Sequence, residues 1–278
     1  MPFNDLAVFH QPRPEIIQKA TMSPVLLGFI ASTAAGLLTA VGALPVLLQR
    51  EVSRRVSDIM LAFAAGVMLA AAFFSLIVPG LETAIAIHGG RQVPALIVTG
   101  GVLLGGLFMG FLNEVVPHQH FSQGREGPAG SGIGEVWLFV LAITIHNLPE
   151  GLAVGVGFGG GDFAAGAALA TGIGLQNAPE GLAVALALRT VGYTPVSAFL
   201  IAGLTGMVEP VTGLLGAWAV SLSTLLLPWS MGIAAGAMLY VISHEIIPET
   251  HRHGSQRAAT ISLMAGFAVM MLLDTAFG

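Results

Sequence analysis

Of 278 residues, 55% are hydrophobic and only 9% charged, against about 25% charged in ordinary globular domains, so the chain reads as an integral membrane protein. A formal net charge of −5 without any basic run excludes an electrostatically driven nucleic-acid partner. The absence of cysteine excludes disulfides and thiolate metal sites.

The first 22 residues hold acids and prolines and no apolar run of signal-peptide length, so the spans themselves are expected to direct the chain to a membrane. A hydrocarbon core about 30 Å thick takes roughly 20 apolar residues per helix. Eight stretches meet this: 24–48, 56–79, 93–116, 136–159, 164–188, 194–219, 226–249 and 258–276. The expected fold is an all-α integral membrane protein with eight transmembrane helices in one compact bundle. Residues 1–23 form an N-terminal extracytoplasmic segment and 24–278 the membrane domain. Gly101/Gly105, Gly106/Gly110 and Gly232/Gly236, at four-residue spacing, predict close helix approach. Arg50, Arg54, Arg55, Arg125, Arg189, Arg252 and Arg257 fall at one face, and Arg13, Lys19 and Arg91 at the other. The positive-inside rule then puts the larger group in the cytoplasm and both termini outside. The segment 117–135, rich in Gly, Ser and Pro, is expected as a flexible cytoplasmic loop.

Polar residues are few enough to take in turn. The second span carries Asp58 at its cytoplasmic end, Met68 midway and Ser75 two turns on. Met68 is either a soft ligand or ordinary packing, and Asp58 could serve as a first-turn acid near a helix N-terminus. Glu82 is placed beyond Pro79, at the outer end. The fourth span holds HNLPEGLAV from 146 and the fifth QNAPEGLAV from 176, matching at seven of nine positions thirty residues apart. Successive spans run in opposite directions, so the shared motif predicts an internal inverted repeat with its two carboxylates facing. His146 and Glu150, like Gln176 and Glu180, are four apart and share a helical face. Pro149 and Pro179 remove the donors for the carbonyls of Ile145 and Leu175 and are expected to open each helix. A buried carboxylate at mid-membrane costs roughly 2.5–3.5 kcal/mol on insertion scales, and two apposed carboxylates repel unless a cation lies between them. Nitrogen, carboxylate and amide donors without thiolate suit a divalent metal such as Zn²⁺, with Fe²⁺, Mn²⁺ and Co²⁺ as alternatives. The competing reading is a structural hydrogen-bonded pair.

Glu209 in the sixth span is a third buried acid followed by proline, either a ligand or a helix-kink acid facing water. SHEIIPETHRHG at 243–254 places His244, Glu245 and Glu249 around Pro248 near the cytoplasmic interface, where solvation competes with a site role. His118, His120, His251 and His253 stand in pairs beside cytoplasmic loops, as weak metal ligands or as solvated histidines.

Together, HNLPEG, QNAPEG, the acid before proline in the next span and HEIIPE resemble the ZIP (Zrt/Irt-like) family of divalent metal transporters, bacterial branch, from about 24 to 276. The resemblance implies a multi-pass protein of the cell (inner) membrane, not an enzyme, that imports divalent cations toward the cytoplasm. Zinc is the expected substrate, with cadmium, iron, manganese and cobalt as further candidates. It implies a first metal held by His146, Glu150, Gln176 and Glu180 with Met68 nearby, and a second held by Asn147, Asn177 and Glu209 with Glu150 and Glu180 bridging. Asp58 and Ser75 would lie on the route, and His244, Glu245 and Glu249 on the cytoplasmic exit side. Transport would proceed by elevator-like sliding of one helix bundle against another. The expected partners are divalent metal ions and membrane lipid, with a homodimer as the candidate assembly and no nucleic acid.

Asn177 stands where close relatives can have aspartate. Glu150, Glu180 and Glu209 then offer three negative charges against four positive on two divalent ions, so the first metal is expected to bind well and the second weakly. Two rivals use similar residues. A proton-coupled carrier of another solute also needs buried carboxylates and histidines. An intramembrane metalloprotease needs a second histidine four residues after the first, and position 248 is proline.

Overall fold

The computed structural model describes residues 22–48, 53–116, 118–120, 124–126, 135–251, 254 and 256–277. Most of the expected N-terminal segment, the greater part of the loop 117–135, and Arg13, Lys19, Arg50, Arg252 and His253 lie outside the described residues. Only a helix or closed barrel satisfies its own backbone in lipid, and the apolar runs accordingly form α1 (Pro24–Ala43), α2 (Arg54–Ala70), α3 (Val78–His88), α4 (Gln92–Val115), α5 (Glu135–Gly159), α6 (Phe163–Thr190), α7 (Pro195–Thr205), α8 (Glu209–Leu222), α9 (Leu226–Val241), α10 (Ile247–Thr250) and α11 (Gln256–Phe277). Several starts follow from local chemistry. Ser23 and Thr194 each accept an amide at 3.2 Å with proline next in sequence, and Asp162 accepts the amides of Ala164 and Ala165 at 3.0 Å.

The helix interruptions are not where the sequence motif put them. Pro149 and Pro179 sit inside continuous α-helices. The backbone instead departs from α-geometry ahead of three other prolines: through π-helical turns at Ala71–Ile77 before Pro79, through π-helical turns at Ile242–Ile246 before Pro248, and through a 3-10 turn at Gly206–Val208 before Pro210. A proline ring clashes with the carbonyl four residues earlier, and a widened or tightened turn moves that carbonyl aside. At Pro149 and Pro179, close backbone packing on neighbouring helices holds the α-form. The second span thus runs helically to His88, so Glu82 lies within α3 and not beyond a helix end.

Among the described residues, seven helical runs are long and apolar enough to cross a membrane: Pro24–Val46, Arg55–His88, Gln92–Val115, Val136–Gly159, Pro195–Leu222, Leu226–Thr250 and Gln256–Phe277. The remaining long helix, α6, carries Gln176, Asn177 and Glu180 and many glycines and alanines, and is largely enclosed by protein, with most side chains from Gly166 to Leu188 buried. A helix shielded from lipid has no need of lipid-like side chains. The 117–135 segment departs from the all-α expectation, for it contains an antiparallel strand pair, β1 (His118–His120) and β2 (Gly124–Glu126), with His118 opposite Glu126.

The expected single bundle resolves into two helix groups. One comprises α1, α5, α6, α7 and α8, with α1 packed chiefly on α6 and α5 on α8; the other comprises α2, α3, α4, α9, α10 and α11, with α4 chiefly on α9 and α11 on α2. They meet where α2 lies on α6 and α5 on α9. Within each group backbones nearly touch. A Cβ on Gly181 would fall 1.9 Å from the Thr39 carbonyl oxygen, and one on Gly236 would fall 2.0 Å from that of Val102. Among the described glycines, none approaches backbone of the other group this closely. Of the glycine pairs marked in the sequence, Gly105 and Gly236 carry such contacts, while Gly106 and Gly110 do not. One apolar cluster spans the seam, with Met68 and Ile242 from one group and Ile145 and Ile173 from the other.

Candidate metal site

Helices α5 and α6, joined by a turn at 160–162, bring the two repeated motifs together. His146, Asn147, Glu150, Gln176, Asn177, Glu180 and Glu209 are all buried, none more than 3% exposed. Gln176 Nε2 donates to Glu150 Oε1 at 2.6 Å, and Asn177 Nδ2 donates to Glu209 Oε1 at 2.7 Å and to the Ala35 carbonyl at 2.9 Å. The carboxylates of Glu150, Glu180 and Glu209 lie within electrostatic reach of one another. Glu209 is placed by the break between α7 and α8, at the first residue of α8.

His146 faces elsewhere than its motif suggests. Its Nε2 pairs with a carboxylate oxygen of Glu245, on the other helix group. Asn113 Nδ2 in turn donates to Glu245 Oε1 at 3.2 Å. Glu245, placed by its sequence position near solvent, is only 3% exposed, because the π-helical turn carries it to the seam. His244 and Glu249 are half-buried, and the His244 ring lies 5.0 Å from that of Tyr240. Met68 is fully buried in the apolar cluster that also holds Ile145. Asp58 is buried too and lies past the first turn of α2, so it is not a first-turn acid. Ser75, also buried, donates to Asp274 Oδ1 at 2.5 Å. His251 is a helix-end tie, its ring 2.9 Å from the Ile247 carbonyl and 3.3 Å from Thr260 Oγ1.

Asn113 and Asp274 were not singled out from sequence. The available signal was a polar side chain within an apolar span, which by default marks a pathway or a partner.

Seven buried side-chain oxygens in this cluster have no hydrogen-bond partner: Asn147 Oδ1, Glu150 Oε2, Gln176 Oε1, Asn177 Oδ1, both oxygens of Glu180, and Glu209 Oε2. Native interiors leave few such groups, each costing about 1–3 kcal/mol. Among the described residues, no three histidine or carboxylate side chains converge as a ready-made metal cage. His146 is engaged by Glu245 and Glu150 by Gln176, so what converges is a mixed set of carboxylate and amide oxygens. Without thiolate, such a set suits divalent cations of hard to borderline character.

Comparison with known proteins bears on this chemistry. The sequence model of the ZIP zinc transporter family matches residues 118–274. The zinc transporter GufA of Myxococcus xanthus is 48% identical, over 90% of this chain and 99% of its own length. The zinc transporter ZIPB of Bordetella bronchiseptica is 51% identical, over 91% of this chain and 81% of its own. Human zinc transporter ZIP11 is 35% identical, over 87% and 94%. The buried donor cluster lies within matched regions on a multi-helix membrane scaffold, and the chain belongs to the ZIP zinc transporter family.

Proposed function

We propose that this chain carries divalent metal cations, zinc foremost, across the membrane toward the cytoplasm, and that the α5–α6 cluster is where they bind. The observation that carries the reading is the set of seven unpartnered buried oxygens on six neighbouring side chains. A divalent cation would satisfy several at once and offset the mutual repulsion of three carboxylates. At an effective dielectric near 20, that repulsion is about 4 kcal/mol for a pair 4 Å apart.

The first cation position uses Glu150, Gln176 and Glu180, completed by His146 once it leaves Glu245, with Met68 nearby. Asn147, Asn177 and Glu209 border a second position, with Glu150 and Glu180 between the two. Asp58 and Ser75 lie on the route, and His244, Glu245 and Glu249 on its cytoplasmic side. Oxygen and nitrogen donors discriminate weakly among first-row metals, so cadmium, iron, manganese and cobalt compete with zinc.

Eight spans, with α6 as the fifth, would put both termini on one side, and the excess of arginine at the opposite face argues that this side is the outer one. An inverted repeat relating the halves is supported by matched packing: α1 on α6 with α8 on α5, and α11 on α2 with α4 on α9. A π-helical turn followed by proline also recurs in both halves. The outward apolar faces carrying Leu96, Leu107 and Leu204 meet lipid or, in a homodimer, a second copy.

The deciding experiment is uptake of labelled Zn²⁺ into proteoliposomes, with and without a pH gradient and with Cd²⁺, Fe²⁺ and Mn²⁺ as competitors. Saturable accumulation that Cd²⁺ competes is expected; a pH-driven flux with no metal requirement would favour the proton-coupled rival. Orientation is checked separately, since the chain has no cysteine. An impermeant thiol reagent applied to intact cells should label Arg91→Cys and leave Val191→Cys untouched, and the reverse pattern would invert the topology.

A further inference from the structure

We infer that the Asn177 side-chain amide takes the place of a second cation, making this chain a carrier of one divalent ion at a time; the inference rests on the metal-site reading above. An amide nitrogen has two hydrogens to give, and here both are given. One goes to Glu209 Oε1 at 2.7 Å and the other to the Ala35 carbonyl at 2.9 Å. A cation bound to that face of Glu209 would meet the positive ends of N–H dipoles where it needs lone pairs.

Glu209 has little freedom to turn away. A Cβ on Gly151 would fall 2.5 Å from Glu209 Cα, so the backbone there is pressed against α5. A Cβ on Gly36 would lie 3.5 Å from Glu209 Oε1, so the carboxylate lies close against α1 as well. Asn177 therefore ties α1, α6 and α8 together with hydrogen bonds at the place where an ion would otherwise tie them. Charge counting predicts only that a second ion binds weakly. The geometry gives a stronger result, because the donor atoms of Asn177 occupy Glu209 Oε1 and exclude the ion from that face, leaving Oε2 as the one oxygen of Glu209 without a partner. Glu180 is different: both its oxygens are unpartnered and buried.

Replacing the amide by a carboxylate reverses the chemistry at one atom. Asn177→Asp removes both donors, leaves Glu209 and the Ala35 carbonyl with lone pairs facing an added acceptor, and supplies the missing negative charge.

The test measures zinc bound per polypeptide, by elemental analysis and titration calorimetry, on the purified full chain at saturating Zn²⁺. The wild type is expected to hold a single zinc. Asn177→Asp should double the bound zinc, and adding Glu209→Gln to it should return the value to that of the wild type. Zinc should also raise the melting temperature of Asn177→Asp more than that of the wild type. Two zinc ions in the wild type that fall to one in Glu209→Gln would overturn the inference, as would a folded Asn177→Asp that holds no more than the wild type. Should Asn177→Asp fail to fold, the Glu209→Gln comparison in the wild-type background still decides. A wild type that binds no zinc would instead overturn the metal-site reading itself, an outcome distinct from either of those.

Discussion

Glu180→Ala should abolish zinc binding by the purified protein and zinc uptake in proteoliposomes while leaving the helices folded. Glu180 is 1% exposed and brings two oxygens that nothing in the protein satisfies, so it has little structural work to lose. Its removal relieves repulsion with Glu150 and Glu209, and the melting temperature without metal should hold or rise. The loss in binding is large, because a carboxylate about 4 Å from a cation contributes several kcal/mol even at an effective dielectric near 20. That corresponds to about three orders of magnitude in affinity. His146→Ala should cost nearly as much uptake but lower the melting temperature, since it strands Glu245 at the seam with one partner fewer. Glu209→Ala should impair uptake less than either. Full uptake by the Glu180 variant would remove the site from α5 and α6.

Gly181→Ala should lower the melting temperature sharply and take uptake with it, although only a methyl group is added. That methyl would lie 1.9 Å from the Thr39 carbonyl oxygen, so α1 and α6 must part. Overpacking of this kind costs about 1–3 kcal/mol and sometimes more. The displacement also falls beside Glu180, which it would move against Glu150. Gly106→Ala is the matched control. Its Cβ would find only the Gly236 carbonyl oxygen, at 3.8 Å, so stability and uptake should stay near wild type, with a small gain from helix propensity. Equal behaviour of the two variants, measured by thermal melting in detergent and by uptake, would show that the close approach of α1 and α6 is not what holds this group of helices together.

The core of the site was legible because its signals are local. A carboxylate in an apolar run is costly, a spacing of four puts two donors on one face, and a repeated motif on successive spans brings two such faces together; the burial of Glu150, Gln176, Glu180 and Glu209 in one cluster follows from that, whereas His146 turns to Glu245. Glu245 did not, since its burial depends on a π-helical turn that no short-range pattern announces. Asn113 and Asp274 are single polar residues whose partners lie far away in sequence, at Glu245 and Ser75. The prolines misled because proline's local preference to break a helix was overridden at 149 and 179 by tertiary packing and expressed at 79, 210 and 248. Which helices belong to which of the two groups was also invisible in the residues themselves, for it depends on which glycine meets which carbonyl across helices, a matter of three-dimensional contact with no periodic trace.

The π-helical turns have a consequence for how sequences of this kind drift. A π turn closes its hydrogen bond one residue later than an α turn, so it amounts to a single-residue insertion held in place by its surroundings. Deleting one residue from Ala71–Ile77 or from Ile242–Ile246 would let the turn close as α-helix with the flanking helices still facing much as they do, whereas deleting one from a regular α-helix swings everything beyond it by about 100°. The change would fall within the turn itself, on Ser75 and Glu245, which meet Asp274 and His146. A one-residue gap at either position in an aligned sequence therefore leaves the helix beyond it in register but changes the wiring of the turn, where no residue can be matched to Ser75 or Glu245 by column alone.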